Sequence, residues 1–117
     1  MSEIAGETAM NITQWFKLEI FVPISHLNAI RAALQEADAG HIGQYDSCLA
    51  YSPVKGTWRP LGGASPYIGT PGKVCEADEY KVEVNVTRDK LENTVKSIRR
   101  VHPYEEPLIN IIPVFSL

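Results

Sequence analysis

The sequence predicts an α+β fold of the split βαβ, or ferredoxin-like, class, with element order βαββαβ. Two stretches alternate apolar and polar residues with the period of a half-buried strand, and each leads into a stretch with helical period. Both halves of the chain therefore follow the order strand, helix, strand. This order predicts an antiparallel four-stranded sheet with both helices on one face.

The first half begins with a strand that starts at Phe16 and ends at Pro23. Its alternate residues are apolar: Phe16, Leu18, Ile20 and Val22. A helix is predicted near residues 25–38, with Ser25 as the N-cap and Gly40 just beyond the C-terminal end. The opposite sheet face is left uncovered. Strand residues on it, such as Phe21, predict an apolar patch that an oligomer would cover.

The middle of the chain, residues 40–78, holds seven of the eight glycines and four of the eight prolines. We interpret residues 47–51 and 57–59 as arms of a bent strand or hairpin around a turn at residues 53–56. Residues 59–73 are predicted to be a long loop, which in a compact domain is usually functional or packed against a neighbour. Its glycine spacing matches no phosphate-binding motif. Trp58 and Arg59 are candidates to anchor this loop at an interface.

The second half repeats the pattern of the first. Its strand has apolar residues at alternate positions: Tyr80, Val82, Val84 and Val86. A helix is predicted near residues 89–101, capped by Thr87 or Asp89. Residues 108–115 form an apolar final strand, of the kind found at the centre of a sheet or at an interface. We expect Pro113 to mark where its pairing breaks.

Composition limits the classes of function. The 117 residues carry a net charge of −3, which disfavours nucleic acid as the main partner. No apolar run approaches the ~20 residues of a membrane span, and the first residues lack a signal-peptide pattern. Cys48 and Cys75 predict no disulfide framework, so we expect a cytoplasmic protein. Residues 1–15 are predicted to be a flexible leader and residues 16–117 a single domain.

Two polar corners follow the two helices and carry the candidate functional residues. The sequence HPYEEP, residues 102–107, places an imidazole, a phenol and two carboxylates between two prolines, and residues 40–48 are similar in character. Imidazole and carboxylate groups are ordinary ligands of zinc and copper. The alternative is a structural corner, in which His102 bonds to helix carbonyls and His41 to its own loop.

We predict that the two corners meet, within one subunit or across a seam between subunits, in one ligand-binding pocket. Its members are His41, Tyr45, His102, Tyr104, Glu105 and Glu106. A divalent ion, zinc or copper, would be held by His41, His102 and Glu106. The prediction assumes that side-by-side helices place the corners after their C-terminal ends at the same end of the sheet. No nucleophile–base pair or metalloprotease motif can be assembled, so no catalytic residue is assigned.

Three stretches carry a family resemblance that spans residues 16–115. They are KLEIFVPISHLNAIRAALQEADAGHIGQYDSC, then WRPLGGASPYIG, then VHPYEEP. Together they resemble the YqfO-type, CutA-like insert domain of the NGG-interacting-factor-three dinuclear-metal family. HPYEEP also resembles the end of CutA, a trimeric divalent-cation tolerance protein. Both families are similar in fold to the PII signalling proteins.

The resemblance implies a non-enzymatic, oligomeric binding or regulatory module that stands free of the larger proteins. Their two-metal site lies in flanking domains that have no counterpart in this sequence, so their proposed hydrolase activity is not implied here. A metal ion or a small molecule is the expected ligand. A homotrimer is preferred over a dimer. The alternative is an accessory part of a metal-dependent hydrolase.

Overall fold

The order of strands and helices is the predicted one. The computed structural model describes residues 14–115, and all structural statements below concern these residues. The elements are β1 (Trp15–Pro23), α1 (Leu27–Glu36), β2 (Ala50–Trp58), β3 (Cys75–Thr87), α2 (Arg88–Val101) and β4 (Ile109–Val114). The four strands form one antiparallel sheet in the order β2-β3-β1-β4. The ferredoxin-like fold is therefore confirmed.

The core lies between the sheet and the two helices. Alternate residues of β1 and β3 pair across the sheet, for example Leu18 with Val84 and Ile20 with Val82, and these side chains are buried. Ile30 of α1 and Ile98 of α2 are fully buried in the same cluster. Both helices thus cover one face, because the strand period and the helix period present their apolar residues to the same layer.

Some element boundaries differ from the sequence prediction. Ser25 does not cap α1, since a 3-10 turn (Ile24–His26) precedes the helix and the Ser25 hydroxyl contacts His26 Nδ1 at 2.8 Å. The predicted turn at residues 53–56 is wrong, because β2 runs unbroken through it and pairs with β3 along its whole length. Likewise β4 continues through Pro113. Both strands are edges of the sheet, where a proline's missing N–H can face away from the ladder.

The sheet face opposite the helices, called the open face below, is not the expected apolar patch. Near its centre Lys17 is paired with Glu83 and Glu19, and Lys81 lies 3.4 Å from Glu19. Phe21 is half-buried. The centre of the open face is therefore charged, and its apolar side chains lie toward the two ends. Phe21 lies at the end where the loop after β2 folds over the sheet, and Trp15 pairs with Val114 at the other end.

Four smaller findings complete the description. The predicted flexible leader falls mostly on residues 1–13, which lie outside the described residues, and Trp15 belongs to β1. Helix α2 begins at Arg88, one residue earlier than predicted. Cys48 and Cys75 are free thiols. Neither helix within residues 14–115 is long and apolar enough to cross a membrane.

Candidate functional site

A groove of about 990 Å³ opens on the open face of the sheet. We call it the open-face groove. Its floor comes from β1, β2 and β3, its walls from the loop after β2 and from the corner after α2. The residues used below are Phe21, Gly56, Trp58, Arg59, Ala64, Tyr67, Glu79, Lys81, Tyr104, Glu105 and Glu106. Four segments that are separate in sequence therefore build one concave surface.

Glu79 supplies a buried carboxylate to the floor of the groove. Its side chain is only 4% exposed, and the Tyr104 hydroxyl donates a hydrogen bond to Glu79 Oε2 at 2.6 Å. Burial raises the pKa of the Tyr104 phenol, and the bond to Glu79 raises it further. The phenol thus keeps its proton, and remains a hydrogen-bond donor, at alkaline pH values where a free tyrosine ionises.

Gly56 makes room for this carboxylate. A side-chain carbon at residue 56 would lie 2.1 Å from Glu79 Oε1. The register explains the contact, because Gly56 pairs with Ala77 and so lies diagonally opposite Glu79 on the same sheet face. Glycine at this position lets the carboxylate lie directly over the backbone of β2.

His102 is a structural residue of the corner after α2. Its ring is buried, its Nε2–H donates to the carbonyl oxygen of Phe21 at 2.7 Å, and its Nδ1 accepts from the N–H of Tyr104 at 3.2 Å. This pattern needs the neutral ring with a proton on Nε2. Burial lowers the pKa of His102, against the opposing effect of the Phe21 carbonyl. The imidazole fixes Tyr104 in place and leaves neither nitrogen for a ligand.

The loop of residues 59–73 is held against the corner by directed hydrogen bonds. The indole N–H of Trp58 donates to the carbonyl of Ile68 at 3.1 Å, so the loop closes back on the end of β2. The N–H of Ser65 donates to Glu105 Oε1 at 3.0 Å. The Trp58 and Tyr104 rings pack with centroids 5.5 Å apart. The groove is therefore a built feature of the fold.

The corner after α1 has a different structure. His41 is exposed, with Nδ1 2.9 Å from Asp38 Oδ1 and Nε2 3.1 Å from the carbonyl of Gly43. Each of these two oxygens accepts a hydrogen bond from a ring N–H, and the imidazole has an N–H on both nitrogens only when it is protonated. The hydrogen bond to Asp38 raises the pKa of His41. Asp38 also pairs with Lys90 at 2.5 Å. Tyr45 bonds to Ile42 through its backbone and its side chain is exposed.

The predicted meeting of the two corners is wrong within one subunit. The N–H of Gly40 donates to Asn85, which pairs with Lys17, whereas His102 bonds to Phe21. Lys17 and Phe21 are separated by about 13 Å along β1. The reason is topological: α1 and α2 return from antiparallel strands, so they are antiparallel to each other. Their C-terminal ends lie at opposite ends of the sheet.

The predicted metal ligands do not fit a metal centre in this subunit. Among residues 14–115 no group of three or more histidine, cysteine, aspartate and glutamate side chains converges. His41 and His102 are at opposite ends of the sheet, and both nitrogens of His102 are engaged within the fold. Of the predicted set, Tyr104, Glu105 and Glu106 line the open-face groove, and their role in binding stays a prediction.

The sequence reasoning missed Glu79, Gly56 and Tyr67. Glu79 lies outside the strand that the sequence predicts from Tyr80 onward, although β3 begins at Cys75. Continuing the alternation backwards from Lys81 would have placed Glu79 on the open face. Gly56 was assigned to a turn. No sequence signal distinguishes Tyr67 from the rest of its loop.

Comparisons with known proteins identify relatives of this domain. Residues 64–116 match a family described as CutA1 divalent ion tolerance protein. A protein of Halalkalibacterium halodurans named GTP cyclohydrolase 1 type 2 homolog is 39% identical over 99 residues. That alignment covers 85% of this chain but 27% of the relative, so the chain spans about a quarter of its length.

Comparison with solved structures agrees with these sequence comparisons. A Bacillus cereus protein related to NIF3 superposes with a TM-score of 0.78 and 30% identity, over 89% of this chain and 26% of that chain. The PII-like protein CutA from Nostoc superposes with a TM-score of 0.62 over 85% of this chain and 80% of its own, and at 22% identity it shares the fold. The chain is therefore a CutA-like domain of the kind found in NIF3-related proteins, and it corresponds to about a quarter of the length of those proteins.

Proposed function

We propose that this protein is a non-catalytic binding or regulatory module whose ligand is a small molecule held in the open-face groove. The observation that carries the proposal is the groove itself, about 990 Å³ in volume, with aromatic walls and one buried carboxylate. Small-molecule sites are typically concave, of a few hundred to about 1,000 Å³, and mostly apolar with a few placed polar groups. The CutA1 and NIF3 relationships fit a module of this kind.

The groove is preorganised to receive a ligand. Trp58 and Ser65 tie the loop of residues 59–73 to its own end and to Glu105, so a ligand would not have to order that loop. His102 holds Tyr104 from behind. Less ordering on binding leaves more of the contact energy as affinity.

The test is a titration of 15N-labelled protein with benzamide, a small neutral aromatic probe. We expect the amide resonances of groove residues such as Gly56, Ser65 and Tyr104 to shift, while those around His41 stay unchanged. The variant Ala64→Phe fills the groove wall and should abolish the shifts. Ala32→Phe is the matched control, because Ala32 is exposed on α1. Shifts that survive Ala64→Phe, or that map to another surface, would refute the site.

Self-association in the cytoplasm is part of the proposal, as a homotrimer in preference to a dimer. Within residues 14–115 both edge strands, β2 and β4, have an unpaired side, and an unpaired edge is a template for another chain. Leu108, Ile111, Ile112 and Phe115 expose apolar surface along and beside β4. Native mass spectrometry of protein purified without added metal reports subunit number, bound organic ligand and any divalent ion together.

A second candidate function is an accessory role in a metal-dependent hydrolase. It is favoured by relatives that are about three times as long and carry the name GTP cyclohydrolase 1 type 2 homolog. In that case the groove would serve a larger assembly rather than a free module. The groove titration does not distinguish a free binding module from an accessory part of a hydrolase. Co-purification with a metal-containing partner would favour the hydrolase role.

A further inference from the structure

We propose that the open-face groove selects an organic cation, an amine or amidinium carried on an apolar or aromatic body. This inference rests on the proposed function, since it names the chemical class of ligand for the same groove. Three observations carry it: the incomplete hydrogen bonding of the Glu79 carboxylate, the pairing of the nearby lysines with acids outside the groove, and the aromatic walls.

The Glu79 side chain is 4% exposed, so its carboxylate is largely removed from water, and the hydrogen bond that it receives within residues 14–115 fills only part of its acceptor capacity. Tyr104 donates one hydrogen bond to Oε2, and Oε1 lies over Gly56, which has no side chain to donate. An ionised carboxylate can accept about four hydrogen bonds, and burying one without donors is costly. A ligand N–H group reaching the floor would supply the missing donors and the opposite charge.

The lysines that line the groove are paired with other carboxylates. Lys81 lies 3.4 Å from Glu19, and Lys55 lies 2.5 Å from Asp78. Neither Glu19 nor Asp78 belongs to the groove lining. The charges of these two lysines are thus partly balanced from outside the groove, so they offset the charge of Glu79 only in part.

Acidic side chains also line the approach to Glu79. Glu105 and Glu106 come from the corner after α2, and both are exposed. The Ser65 N–H holds one oxygen of Glu105. Arg59 is an exposed cation on the loop side. With the lysines paired elsewhere, three carboxylates face one guanidinium, and this balance favours a positively charged ligand.

The aromatic walls suit the body of such a ligand. Trp58 and Tyr67 both pack near Tyr104, with ring centroids 5.5 and 6.2 Å from it. The faces of Trp and Tyr attract cations, and attract them more strongly where water is excluded. The same rings offer apolar area to an aromatic or aliphatic body. A cation with an apolar body can therefore use the walls and the floor together.

The test compares three probes of nearly identical shape: benzamidine, which is a cation, benzamide, which is neutral, and benzoate, which is an anion. We expect benzamidine to bind about ten-fold tighter than benzamide, because a hydrogen bond to a charged acceptor is stronger than one to a neutral acceptor. Benzoate should bind most weakly. Dissociation constants come from the shifts of the groove amides in the wild-type protein, so this comparison needs no variant.

The variant Glu79→Gln then tests the assigned carboxylate. Glutamine keeps an oxygen for the Tyr104 hydroxyl but removes the charge, so the preference for benzamidine should vanish while benzamide still binds. Glu83→Gln is the matched control, because Glu83 is on the same strand and face but outside the groove. Equal binding of benzamidine and benzamide by the wild type overturns the cation proposal and leaves the proposed function standing. A preference that survives Glu79→Gln also overturns it. Absence of groove shifts with all three probes overturns the proposed function itself.

Discussion

The two corners that follow the helices are similar in sequence and opposite in structure. Each contains a histidine, a tyrosine and acidic residues beside glycine or proline. After α1, His41 is exposed and faces two acceptors, the Asp38 carboxylate and the Gly43 carbonyl. After α2, His102 is buried, donates with one nitrogen and accepts with the other. The first environment favours the charged ring and the second favours the neutral one.

This difference shows that the surroundings of a histidine, and not the residues beside it in sequence, decide what it does. The corner after α2 is pressed against the end of β1 and under the loop that follows β2, so its imidazole is used to join the two. The corner after α1 instead meets β3, where the Gly40 N–H donates to the Asn85 carbonyl, and Asp38 just before it pairs with Lys90 at the start of α2. Only one of the two corners is therefore part of the open-face groove.

The largest expected effect comes from removing the buried imidazole. His102→Ala deletes a donor to the Phe21 carbonyl and an acceptor for the Tyr104 amide, and it leaves a cavity. We expect the free energy of unfolding to fall by about 3 kcal/mol, the range for breaking a buried hydrogen-bonded group. Urea denaturation followed by circular dichroism measures it.

His41→Ala is the control for this measurement. Its side chain is exposed, so the stability of the fold should be nearly unchanged. Equal losses for the two variants would contradict the contrast between the corners, and so would a negligible loss for His102→Ala.

An intermediate effect is expected for Tyr104→Phe. The variant keeps the ring packing but removes the hydroxyl that donates to Glu79, so we expect a loss of about 1–2 kcal/mol. The raised pKa of Tyr104 adds a pH dependence: the folded state holds this proton above pH 10, where the unfolded state releases it. Wild-type stability should fall as pH rises above 10, and the variant should fall less steeply. Parallel curves for the two proteins would contradict the assignment.

The smallest effect, and the sharpest test of the comparison, is the titration of the two rings. The pKa of His41 should lie above the usual 6.5 and the pKa of His102 below it. His41 therefore contributes stability that is present below pH 6.5 and lost as pH rises through its folded pKa. His102 contributes stability that is present above 6.5 and lost as pH falls. Proton NMR of the ring resonances measures both values, and the reverse order would contradict the structure.

The alternation and helical periods in the sequence were enough to predict the fold. Phe16 to Val22 and Tyr80 to Val86 show the two central strands clearly, because these are half-buried and their periods are unbroken. The edge strands were less predictable. Pro53 and Gly56 looked like a turn, yet an edge strand tolerates proline, and Gly56 serves to admit the Glu79 side chain.

The candidate site was only partly predictable, for reasons of topology and long-range contact. Tyr104, Glu105 and Glu106 were chosen for their chemistry and do line the groove. The prediction that His41 lies beside these residues is wrong within one subunit. It requires neighbouring helices to end at the same end of the sheet, whereas α1 and α2 are antiparallel. Glu79 meets Tyr104 across 25 residues of sequence, and no local pattern encodes that meeting.

The hydrogen bond between Ser65 and Glu105 allows the rate at which the groove opens to be measured. It joins the loop to the corner across 40 residues of chain. A hydrogen-bonded amide exchanges its proton with solvent when the bond opens, so segments of a protein exchange at the rates of their own local unfolding. The hydrogen exchange rate of the Ser65 amide therefore measures how often the loop separates from the corner. Its deuterium uptake would report that motion while the sheet beneath stays closed.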